Sequence, residues 1–107
     1  MSVENLNVVD FISINLRGEV VLSIADHLQW DEDNEHLVVI QNKLNAYLEF
    51  IKNGDLYVKY PDAKNRNILI RVVLNHQPNS EGGVFFERVR KYIEGLGYRF
   101  SLDIIQG

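Results

Sequence analysis

The stretch Asp26-His27-Leu28-Gln29-Trp30-Asp31-Glu32-Asp33-Asn34-Glu35-His36 decides how this chain is read. Before it, Val20, Leu22 and Ile24 alternate at period two, the pattern of a strand with one buried face. After it, Leu37, Ile40, Leu44, Tyr47, Leu48 and Ile51 recur at helical spacing. At 100° per residue they fall within an arc of about 100°, the predicted core face. The stretch is therefore a corner that closes a strand and opens the longest helix, expected from about Glu32 to Lys52. Asp31 is the natural N-cap. Glu32, Asp33 and Glu35 put negative charge in the first turn, where unsatisfied N–H groups and the helix dipole favour it. Lys52 and Gly54 supply the stop.

Working outward, Asn7 to Asn15 reads as a strand, with Val8, Ile12 and Ile14 alternating against Val9, Phe11 and Ser13. Asn15-Leu16-Arg17-Gly18 carries turn residues, and Gly18 is suited to positive φ. Glu19 to Ala25 completes an antiparallel hairpin. Beyond the helix, Asp55 to Asn67 is the least regular stretch, with Leu56, Tyr57 and Tyr60 expected to pack back on the first helix. Ile68 to Asn75 is a third strand, with Ile68, Ile70, Val72 and Leu74 inward. Asn79 or Ser80 caps a second helix from about Glu81 to Glu94. Tyr98 to Ile105 is the last strand, with Phe100, Leu102 and Ile104 inward.

The predicted order is ββαβαβ. It implies an α/β (α+β) two-layer sandwich, a mixed four-stranded sheet with two helices on one face. Val39, Ala46 and Phe50 fall off the core arc of the first helix and call for a cover. The far sheet face would carry Val9, Phe11, Ser13, Val21, Ser23, Leu69, Arg71, Val73, Ser101, Asp103 and Ile105, more apolar than a freely solvated face.

At 107 residues the expectation is one domain spanning 1–107, long enough for its own core. An apolar fraction of 46 % argues against disorder. The absence of Cys removes disulfides, thiolate metal sites and a Cys nucleophile, and fits a reducing cytoplasmic setting. No signal-peptide pattern and no membrane-spanning apolar run occurs. The formal net charge of −4 is uneven. Up to Gly54 nine acids face three bases; from Asp55 on, eight bases face six acids. No Lys or Arg lies between Arg17 and Lys43. An acidic chain is a poor nucleic-acid binder, because phosphate recognition draws on basic patches. It suits a basic protein partner.

The corner holds the only Trp and two of the three His. Asp26, His27, Asp31, Glu35 and His36 raise a metal reading, but the spacing matches no ligand signature, so neither metal nor cofactor is expected. His27 beside Asp31 or Glu35 meets the minimum for acid–base work, yet no nucleophile motif and no phosphate-cradling loop accompanies it. The structural alternative has Asp31 capping the helix, Trp30 closing the core edge and His27 bonded to a carbonyl or carboxylate.

The run Asp26 to Leu37, with Gln41 to Leu48, Tyr60 to Lys64 and Ile70 to Val73, resembles a family of small bacterial proteins with no assigned activity. That resemblance carries over no catalytic residue. In size, charge and class the chain is also similar to immunity proteins that neutralise toxins, as in contact-dependent growth inhibition. The expectation is a non-enzymatic cytoplasmic immunity protein that docks an acidic surface on a basic, nuclease-like toxin. Asp26, Asp31, Glu32, Asp33 and Glu35 would make the contact, with Trp30 as anchor. The alternatives are a homo-oligomeric structural module and a small hydrolase or metal enzyme at His27.

Overall fold

The computed structural model describes residues 11–30 and 35–105. Its elements run β1 (Phe11–Ile14), β2 (Val20–Asp26), α1 (Glu35–Lys52), α2 (Asp55–Lys59), a 3-10 turn (Pro61–Ala63), β3 (Ile68–Leu74), α3 (Ser80–Gly95) and β4 (Arg99–Ile104). The four strands form one open sheet in the order β1-β2-β3-β4. β1 pairs antiparallel with β2, while β2, β3 and β4 are parallel. The architecture is a mixed α/β fold, as the sequence predicts, with an added short helix and turn in the stretch that looked irregular.

Period two explains the sheet. Register sets Ile12, Leu22, Ile70 and Phe100 in one row and Ile24, Val72 and Leu102 in another. Leu22, Ile24, Ile70 and Val72 are fully buried in the central pair of strands. The opposite face carries Phe11, Ser23, Arg71 and Ser101 in one row, in line with the sequence reading. There Arg71 donates to Asp103 at 2.6 Å, and both side chains remain about half exposed (43 % and 47 %). Such a pair contributes about 0–1 kcal/mol. Phe11 and Ile105 stay exposed on this side, and Val9 lies outside the described residues.

The hairpin turn forms as its residues dictate. Asn15 Oδ1 accepts from the backbone N–H of Arg17 and Glu19, and Gly18 takes φ 82°, a region closed to most side chains. At the same end of the sheet, Glu19 is bound by the Asn15 amide at 3.0 Å and by Arg99 at 2.7 Å. This ties the hairpin to β4 across β3. The Asn15 hydrogen bond, and then that of Arg99, hold the Glu19 carboxyl below its ordinary value.

The buried face of α1 differs from the expected arc. Buried are His36, Ile40, Lys43, Leu44, Tyr47 and Ile51, whereas Leu37 and Leu48 are only half buried. At 100° per residue the buried stripe is turned by roughly 40° from the predicted one. Two polar residues occupy its edge because the fold gives each an apolar or paired site. Lys43 runs along the core with its ammonium 5.5 Å from the Tyr47 ring centre, and Tyr47 Oη donates to the Ser23 carbonyl at 2.7 Å. The expected cover for Phe50 is supplied in part by α2. Leu56 of α2 is fully buried, and Lys59 lies 5.7 Å from the Phe50 ring. Among the described residues no helix is long and apolar enough to cross a membrane.

Candidate functional site

Continuing the inward phase of β2 by two residues reaches Asp26, so its carboxylate points into the core at the strand's carboxyl end. It is 1 % exposed. Its Oδ1 accepts from the Leu28 backbone N–H at 3.0 Å, which turns the chain out of the sheet. Its Oδ2 meets His36 Nε2 on the first turn of α1. Carboxylate and imidazole thus join the end of the strand to the start of the helix across ten residues of sequence.

Trp30 lies over this pair. Its ring stacks on His36 with centroids 3.8 Å apart and meets Phe86 of α3 edge-on at 5.9 Å. Its indole N–H donates to the His76 carbonyl, beyond the end of β3, at 3.1 Å. Close to Cζ3 of the ring is Gly82 in the first turn of α3. A Cβ there would sit 3.0 Å from Trp30 Cζ3 and 3.0 Å from Pro78 Cβ. Asn79 caps α3, its Oδ1 accepting from Gly82 N at 2.8 Å. One indole therefore bears on the starts of both long helices and on the loop after β3.

The predicted site residues separate on this geometry. Asp26 is interior and is withdrawn from any docking face; the partner that withdraws it is a histidine of the same chain. Trp30 is half buried, and its polar edge is already used by His76. Glu35 is exposed at the start of α1. Asp31, Glu32 and Asp33, including the expected N-cap, lie outside the described residues. The histidine emphasis shifts as well. His27 is exposed, and the buried carboxylate-bound histidine is His36. The signal that would have found the pair was present: Asp26 keeps phase with Val20, Leu22 and Ile24, and His36 sits four residues before Ile40.

The arrangement binds the corner together rather than opening it. His36 is 3 % exposed under the indole, so a substrate has no direct path to the imidazole. In open parallel sheets a ligand crevice forms where the strand order reverses. Here the crossovers step one way, β2 to β3 to β4, and among the described residues the strand order does not reverse. Among the described residues no three His, Asp or Glu side chains gather as a metal site.

Neither the curated proteins nor the solved structures contain a match to this chain. A family model does match, over residues 1–106, and its description is "family of unknown function". By that match over nearly its whole length, the chain belongs to the DUF6572 family.

Proposed function

We propose that this chain is a non-enzymatic protein-binding module, an immunity protein that neutralises a basic, nuclease-like toxin with the acidic residues Asp31, Glu32, Asp33 and Glu35. The observation that carries the reading is charge placement. Asp31, Glu32, Asp33 and Glu35 follow one another in a segment with no Lys or Arg between Arg17 and Lys43. Glu35, the one of them among the described residues, opens α1 beside a corner fixed by Asp26, His36 and Trp30. In this reading both long helices cover one sheet face, because parallel crossovers are right-handed and both step the same way. The starts of α1 and α3 then share one end of the molecule. Trp30 acts mainly as a support beside the acidic residues, since its N–H is taken by the His76 carbonyl and its ring stacks on His36 and meets Phe86 edge-on. The cytoplasm is the compartment this role requires.

The test is protection from a toxin encoded beside the gene. Co-expressed wild-type protein should restore growth to cells making the toxin's catalytic domain, and association of the purified pair should slow as salt rises. The double reversal Glu32→Lys, Asp33→Lys should abolish protection while leaving the unfolding transition in place. Full protection by the reversed variant would remove the acidic-face reading.

A further inference from the structure

A groove runs between α1 and α3. Leu37, Leu44 and Leu48 form one wall, and Phe85, Val89 and Tyr92 the other. Arg88 borders it along most of its length. The α3 rim is unusually apolar for solvent: Val84 is 55 % exposed, Tyr92 62 % and Leu96 47 %. Leu37 and Leu48, half buried on α1, line this groove.

We infer that this groove is an interface between two copies of the chain, packed with their α3 helices antiparallel. What identifies a second copy as the occupant is charge self-complementarity. Glu81 and Arg88 are seven residues apart, two helical turns or about 10 Å, and therefore share one stripe of α3. Val84 and Phe85 lie between them on that stripe. A two-fold axis passing beside Val84 and Phe85 sets Glu81 of each copy against Arg88 of the other. That is the reciprocal pattern an isologous interface requires. Among the described residues Arg88 makes no ion pair, whereas its neighbour Arg90 is held by Glu87 and by the Phe100 carbonyl. The same axis buries both copies of Val84 and brings each Tyr92 ring onto the opposing groove. This inference rests on the groove alone and does not depend on the acidic residues Asp31, Glu32, Asp33 and Glu35.

Sedimentation of the purified full-length protein across the micromolar range tests it. Wild type should show a concentration-dependent dimer. Glu81→Arg and Arg88→Glu should each weaken it by about tenfold or more, because each places like charges together twice. The double variant Glu81→Arg, Arg88→Glu should recover dimerisation. Tyr92→Lys, at an exposed position, should give a folded monomer by circular dichroism, which keeps the test valid if a charge variant fails to fold. A wild type that stays monomeric overturns the inference and leaves the groove to a different protein. A dimer indifferent to all these substitutions also overturns it, since the contact would then lie elsewhere.

Discussion

Gly82 and Gly83 are adjacent in the first turn of α3, and replacing each by Ala should have opposite effects. Intrinsic propensity favours Ala over Gly inside a helix by about 0.8–1.0 kcal/mol, at either position. At Gly83 nothing lies within 4 Å of the added methyl, so that gain should appear in full. At Gly82 the methyl would lie 3.0 Å from Pro78 Cβ and Trp30 Cζ3, and 3.2 Å from the capping Asn79 Oδ1. None of the three can move freely. Pro78 is a ring on the backbone, Asn79 Oδ1 holds the cap, and Trp30 is fixed by the His76 carbonyl and the His36 stack. Overpacking of this kind costs about 1–3 kcal/mol. Set against the propensity gain, Gly82→Ala should be destabilised by up to about 2 kcal/mol. Gly83→Ala should be stabilised by up to about 1 kcal/mol. In a domain of this size a difference of 1 kcal/mol moves Tm by about 4–8 °C, so thermal and urea unfolding resolve the contrast. The only Trp is itself the reporter, and its emission should change in Gly82→Ala and not in Gly83→Ala. A Gly82→Ala protein as stable as Gly83→Ala would refute the claim that Trp30 is wedged against α3.

Asp26→Asn takes the carboxylate partner from a buried histidine and should cost about 1–3 kcal/mol in urea unfolding, with a shift in Trp30 emission. A loss below 1 kcal/mol would show that the pair does not hold the corner. Acid should weaken the opposite end of the sheet. The Glu19 carboxyl is held below its ordinary value of 4.5 by Asn15 and then Arg99, so its contribution is complete above that value. It is lost as pH falls through the lower folded value. Glu19→Gln should therefore flatten the acid limb of a stability-against-pH curve, and an unaltered limb would contradict the assignment.

The fold class was legible because hydrophobic period is a local property. Alternation in Val20 to Ile24 and Ile68 to Leu74 specified strands, 3.6-residue spacing specified α1, and Asn79 and Gly18 marked a cap and a turn that the structure contains. The stretch after Gly54 reads as irregular because its helix is only five residues long. So short a helix is held by the burial of Leu56 and not by any periodic pattern.

The candidate site divides along the same line. Concentration of acid between Arg17 and Lys43 is a fact of sequence, and so is a single indole beside it. Which carboxylate faces water is not. Asp26 and Glu35 are equally acidic in the sequence, yet one is sealed against His36 and the other is exposed. Strand register and the rotation of α1 decide that, and both are set by contacts between residues distant along the chain. Burial of an ionisable group depends on what surrounds it in space, so only the tertiary structure could separate the carboxylate that holds the corner from the exposed one at the start of α1.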